Sequence, residues 1–145
     1  MSNLTLIIPA KNESESLPKV LYDLADLNYK IIISVGEDDL DTINSIKKYD
    51  VKIYHQSKSG YGNSLIEAIK ICDTDYFCIF NADGSFDKND LKKMYDLIFN
   101  YEFVYTSRYL KNGGSDDDTL ITYVGNKIFS FMGKLLFSLQ INDIL

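Results

Sequence analysis

The sequence predicts an α/β protein, a Rossmann-like three-layer α/β/α arrangement around a mostly parallel sheet. Three observations predict it. Short apolar runs alternate along the chain with segments of helical periodicity. One run, Ile31-Ile32-Ile33, is apolar at consecutive positions, as a parallel strand covered on both faces requires. Another, Tyr76-Phe77-Cys78-Ile79-Phe80, stops abruptly at Asn81-Ala82-Asp83-Gly84, and open α/β sheets place their ligands beyond the carboxyl ends of their strands.

Residues 4–8 read as the first strand, closed by Pro9. Over 14–28, Leu17, Val20, Leu21, Leu24 and Leu27 recur at three- and four-residue steps and predict an amphipathic helix. Ser14 or Ser16 can cap it, and Pro18 is tolerated in its first turn. Residues 30–35 form the second strand. The acidic loop Glu37-Asp38-Asp39 leads into a short helix through Ile43 and Ile46, and 51–54 make a third strand. The loop Lys58-Ser59-Gly60-Tyr61-Gly62 opens a helix with Leu65, Ala68, Ile69 and Cys72 on one side. A buried strand at 76–80 follows, then a helix over 88–100 with Leu91, Met94, Leu97 and Ile98 inward, and a further strand at 103–106. After a polar loop at 111–119, residues 120–139 read as an unusually apolar helix.

The composition narrows the function. At 145 residues the chain fits one domain, and its 46% hydrophobic and 25% charged residues are ordinary globular values. A net charge of −6 argues against nucleic acid as a partner, which needs a basic stripe. Cys72 and Cys78 lack metal-ligand spacing and read as buried thiols of a reducing compartment, and His55 reads as a surface residue. No signal peptide is legible, and no run reaches the roughly eighteen apolar residues of a membrane span. The expectation is a cytoplasmic chain, soluble or peripheral at the membrane face.

The loops after the strands gather the reactive side chains on one sheet edge. They are Pro9-Ala10-Lys11-Asn12-Glu13, Gly36-Glu37-Asp38-Asp39, Asn81-Ala82-Asp83 and Ser107-Arg108. That setting suits a nucleotide diphosphate, with acidic groups on base or ribose, a divalent cation on the phosphates and a basic side chain nearby. The plainer reading is also open: Asp83 and Gly84 make a turn, Asp87 caps a helix, Arg108 pairs with a carboxylate, and Gly60 and Gly62 ease a bend.

The ordered set of motifs resembles the family 2 glycosyltransferases of GT-A fold, and within them the polyprenyl- or dolichyl-phosphate sugar transferases. Leu6-Ile7-Ile8-Pro9-Ala10-Lys11-Asn12-Glu13 resembles the family's "IIPAYNE" opening, and Lys58-Ser59-Gly60-Tyr61-Gly62-Asn63-Ser64 its "GKGAA" helix start. Asn81-Ala82-Asp83 stands where the family carries its Asp-x-Asp metal motif. Ser107-Arg108-Tyr109, with Gly113-Gly114, resembles "SRY" and a glycine pair, while Gly125-Asn126 and Asp143 match a helix asparagine and a late aspartate. The resemblance implies transfer of a sugar from a nucleotide-diphosphate sugar by inverting displacement, with Mg²⁺ or Mn²⁺ as cofactor. It implies Pro9, Ala10, Glu13, Asp38, Asp39, Lys58, Gly60 and Asn81 at the nucleotide, Asp83 and Asn81 at the metal, and Asp83 with Arg108 in catalysis. It also implies a lipid-phosphate acceptor.

Three departures qualify it. Asn81 replaces the first aspartate of the metal motif. The acidic pair after the second strand has slid downstream to Asp38 and Asp39. The chain stops near Asp143, where the family continues, so the expectation is a single nucleotide-sugar-binding domain over 1–145 lacking its acceptor part. The apolar face of the last helix would then meet a missing segment, a membrane surface or a second copy in a homo-oligomer. Two other functions compete: a nucleotide-sugar-binding module without turnover, motivated by Asn81, and a nucleotidyltransferase, disfavoured by the absence of glycine in the first loop.

Overall fold

The structure, a computed structural model, describes residues 3–110, 113–114 and 119–143. Most of the predicted polar loop at 111–119 lies outside the described residues. The chain divides into two compact units, Met1–Lys92 and Lys93–Leu145.

The first unit holds β1 (Leu4–Ala10), α1 (Leu17–Leu24), β2 (Lys30–Val35), α2 (Leu40–Ser45), β3 (Lys52–His55), α3 (Tyr61–Lys70) and β4 (Tyr76–Ile79). Its four strands are parallel in the order β3-β2-β1-β4. The order reverses between β1 and β4, which makes their carboxyl ends the topological switch point. Ile7, Ile32 and Ala68 of α3 form a core cluster on one face. Leu6, Ile8 and Ile33, on alternate positions, are fully buried as well, so both faces are covered and the unbroken isoleucine run is explained. Ser34 and Ser64, the polar pair within this core, satisfy each other at 2.7 Å.

Several boundaries differ from the sequence reading. β1 runs through Pro9, which pairs with Ser34. Ile7 accepts from the Phe80 amide at 2.9 Å, so Ile7 faces β4, and Pro9, two residues on, faces the same side. β4 has ended there, so the missing proline N–H costs no ladder bond within the sheet. α1 begins only at Leu17; Ser16 occupies the cap position but makes no side-chain cap bond, because its hydroxyl turns to the Glu13 carboxylate. β4 is an edge strand with Phe77 45% exposed, not the fully buried strand expected. Cys72 and Cys78 are free thiols, each half-buried, and burial pushes the Cys78 thiol up to about 11.

α4 (Lys88–Leu97) starts in the first unit, where Asp87 caps it by accepting from the Asn89 amide at 2.9 Å. It is shorter than predicted and buries only Leu91; Leu97 is exposed. In the second unit the expected strand at 103–106 takes no regular secondary structure: the Phe103 and Tyr105 rings lie 5.6 Å apart between centroids, yet both are exposed. β propensity without a partner edge does not make a strand. α5 (Leu120–Phe137) carries a Thr119–Thr122 capping box and leaves Ile128, Phe129, Phe131, Leu135 and Leu136 exposed. No helix among the described residues is long and apolar enough to cross a membrane.

Candidate active site

Because the four strands are parallel, their carboxyl ends share one edge of the sheet. That edge receives Pro9 and Ala10 from β1, Asp38 and Asp39 from the loop after β2, Lys58 and Gly60 from the loop after β3, and Asn81 and Asp83 from the loop after β4. With Glu13 in the loop after β1, the predicted site residues of the first unit all lie at strand ends or in loops on one edge.

The loop after β4 alternates its burial. Phe80 and Ala82 are buried, Asn81 is half-buried and Asp83 is exposed. Phe80 packs edge-on against Phe86 at 5.5 Å, and Gly84 turns at φ 84° with Val20 nearby, so the loop is pinned from its apolar side. Asp83 Oδ1 accepts from the Ser85 amide at 2.9 Å, and the Asn81 amide nitrogen donates to the Ser85 hydroxyl at 3.1 Å. Ser85 thus organises both polar side chains from behind. Lys88 holds the next turn against the end of α1, donating to the Asp23 carbonyl at 2.8 Å and Asp26 at 3.0 Å.

The loop after β2 is built differently. Asp39 accepts from the Thr42 amide at 3.3 Å as the cap of α2 and from the Asn12 amide at 2.7 Å. Asn12 sits at φ 59°, a left-handed conformation this bond helps to hold. Thr42, fully buried, accepts the Glu13 amide at 2.9 Å. Partial burial pushes the Asp39 carboxyl up, but the Asn12 and Thr42 donors and nearby Lys11 outweigh it and the net shift is downward. Asp38 is exposed on the same loop.

The loop after β3 reaches α3 through Gly60, whose φ of 116° favours glycine and which caps the helix with no side chain. Glu67 accepts from the Ser57 hydroxyl, from the Ser57 amide at 2.7 Å and from Asn63 at 2.9 Å; these donors hold its carboxyl down to about 2.

Arg108 belongs to the second unit. Its Nη2 lies 2.6 Å from Asp143 Oδ1, and its Nε and backbone amide donate to Oδ2 at 3.0 and 2.9 Å. Asp143 is nearly buried, and the guanidinium holds its carboxyl below the ordinary value. Asn126, buried in α5, donates to the Asn142 carbonyl at 2.9 Å, so 142–143 is tied at two points. Gly113 closes the turn after Arg108: a Cβ there would meet the Ser107 and Arg108 carbonyl oxygens at 2.7 Å. The guanidinium thus pairs with a carboxylate, and a nearly buried one rather than one on the surface.

Among the described residues no group of three or more His, Cys, Asp or Glu is placed to hold a metal ion. Asp83 and Asn81 offer one carboxylate and one amide oxygen, and Asp87 is used as a helix cap. Such a hard-oxygen pair suits Mg²⁺ or Mn²⁺ when phosphates and waters complete the shell. Sequence reasoning missed the tethering by Asp39 and Thr42, though an Asp directly before a helical run is an N-cap signal. It also missed Glu67 and the pairing of Arg108 with Asp143; thirty-five residues separate the latter, so no local pattern could have shown it.

The model of the family described as Glycosyl transferase family 2 matches residues 5–143. An uncharacterized glycosyltransferase of Mycobacterium bovis is 28% identical over 91 residues, covering 63% of this chain and 41% of that protein. The UDP-N-acetylglucosamine–dolichyl-phosphate N-acetylglucosaminyltransferase of Methanococcus voltae is 28% identical over 162 residues, covering 95% of this chain and 64% of its own length. The chain thus spans 41% to 64% of these curated relatives. The crystal structure of mannosyl-3-phosphoglycerate synthase from Rubrobacter xylanophilus superposes with a TM-score of 0.60 at 12% identity, over 67% of this chain and 36% of that one. The parallel sheet and its switch point are therefore a glycosyltransferase fold, and the chain belongs to glycosyl transferase family 2.

Proposed function

We propose that the chain carries the donor half of an inverting sugar transfer from a nucleotide-diphosphate sugar to a polyprenyl phosphate. The observation that carries this reading is Asp83: an exposed carboxylate, organised from behind by Ser85, at the switch point of a parallel sheet. Asp83 and Asn81 would hold Mg²⁺ or Mn²⁺ beside the donor diphosphate. Bound there, the cation supplies Lewis-acid stabilisation of the leaving diphosphate. Pro9, Ala10, Glu13 and Asp38 border base and ribose, Asp39 keeps the Asn12–Glu13 backbone in place beside them, and Lys58 and Gly60 face the phosphates. Arg108 ties its own backbone and side chain to Asp143. A phosphate acceptor is anionic at neutral pH and needs no strong general base, which suits a sequence that offers no histidine from Arg108 onward. The name of the Methanococcus relative supports the acceptor class, and the exposed apolar side chains of α5 support a peripheral seat on a membrane.

The test is a thermal shift with UDP-, GDP- and dTDP-sugars, with and without Mn²⁺. A ligand that binds only the native state raises Tm with its concentration over Kd. A Mn²⁺-dependent shift with one nucleotide, lost in Asp83→Ala, is expected; no shift with any donor at millimolar concentration overturns the reading. Asn81 supports one other reading, a nucleotide-sugar-binding module without turnover. Transfer gained on Asn81→Asp, with donor binding already present in the parent, would favour it.

A further inference from the structure

We propose that Glu67 is a positioning residue for donor binding, clamping the loop that presents Lys58 to the donor phosphates; this rests on the donor-site reading above. The loop leaves β3 at His55 and enters α3 at Tyr61. A five-residue connection with an exposed lysine and a glycine at φ 116° has little of its own to fix it. Glu67 supplies the fixing. The Ser57 amide donates to one of its carboxylate oxygens at 2.7 Å, and the Ser57 hydroxyl donates to the other. Asn63, one helical turn earlier, donates to that second oxygen at 2.9 Å and to the Lys58 carbonyl at 3.0 Å. Both carboxylate oxygens are used, and the backbone is held on each side of the Lys58 Cα.

The acceptor count separates this role from ligand binding. The Ser57 amide and hydroxyl and the Asn63 side chain already converge on Glu67, with Tyr54 of β3 donating as well, so its oxygens are engaged by the protein. These same donors hold its carboxyl at about 2, so the clamp stays ionised throughout the neutral range. A Lys side chain carries several rotatable bonds. Fixing its backbone beforehand lowers the ordering cost of engaging a phosphate and leaves the Coulomb attraction unchanged.

The test is a double-mutant cycle on the affinity for UDP, GDP and dTDP with MnCl₂, measured by calorimetry. Lys58→Ala and Glu67→Ala are each expected to weaken the best nucleotide about tenfold, the scale of one charge-assisted hydrogen bond. The double variant is expected to be no weaker than either single one, since a loose Lys58 has little left to lose. Glu67→Gln, which keeps acceptor capacity for the Ser57 amide, is expected to recover to within about threefold of the parent. Should Glu67→Ala fail to fold by circular dichroism, Asn63→Ala removes the link to the Lys58 carbonyl and carries the same prediction. Additive losses, or parental affinity in Glu67→Ala, overturn the clamp and leave the donor site standing. A parent that binds none of the three nucleotides overturns both.

Discussion

Two acidic loops leave the same sheet edge and do opposite work. After β2, Asp39 spends its carboxylate on protein: it caps α2, takes the Asn12 amide and thereby holds the loop after β1 in place. After β4, Asp83 takes one amide and otherwise faces solvent, while the apolar residues beside it are buried. The comparison teaches that a carboxylate at a switch point is not thereby a ligand. What separates the two is how many backbone donors each already accepts. Asp39 is fixed by an amide on each of its oxygens and is half-buried, whereas Asp83 accepts one amide and is exposed.

The contrast can be broken by removing each carboxylate in turn. The largest effect is expected from Asp83→Ala, which should weaken Mn²⁺-dependent nucleotide affinity by about a hundredfold or more, the scale of several kcal/mol. Its Tm should stay at the parental value. Calorimetry beside a melting curve checks both halves, and a large fall in Tm would give Asp83 the same scaffold role as Asp39. Asp39→Ala should do the reverse, lowering stability by about 1–2 kcal/mol, or roughly 5 °C in Tm, as lost helix caps do. Urea titration with an unchanged m-value is the check.

A finer effect sharpens the same line. Asn81→Asp adds a formal charge beside Asp83 and should tighten Mn²⁺ about tenfold in the presence of nucleotide, with little gain in its absence. A metal titration read with and without UDP separates those outcomes. The smallest expected effect is in acid. The Asp39 carboxyl is shifted below its unfolded value of 3.8, so its contribution is fully present above that pH and disappears as pH falls through the folded value. The Tm difference between the parent and Asp39→Asn should therefore shrink as pH falls below 3.8. A difference that persists there would show that the Asn12 and Thr42 donors do not depend on the ionised form.

Much of the architecture was legible because periodicity reports burial directly. The isoleucine run of β2, the Leu17/Val20/Leu21/Leu24 stripe of α1 and the cap at Asp87 all appear where the sequence puts them. The strand expected at 103–106 failed for a complementary reason. Alternating aromatics describe a surface suited to pleating, but a strand is a property of two chains and periodicity sees only one. The site was legible as a set of loops, since parallel strands must deliver their carboxyl ends to one edge. Which carboxylates brace the loops was not legible, because that depends on amides brought in from Asn12 and Ser57, far from their acceptors in sequence or hidden in a loop. Arg108 shows the same limit, as its partner Asp143 stands at the far end of the chain.

Pro9 has a further effect on the mouth of the sheet. A residue with an N–H there could have taken the Phe80 carbonyl and extended the β1–β4 pairing by one rung. An imino acid withholds that rung, so the two backbones are free to part just where Asn81 begins. One ring closure in a proline thus works like the stop at the end of a zipper, setting where the β1–β4 ladder ends and the Asn81-Ala82-Asp83 loop begins.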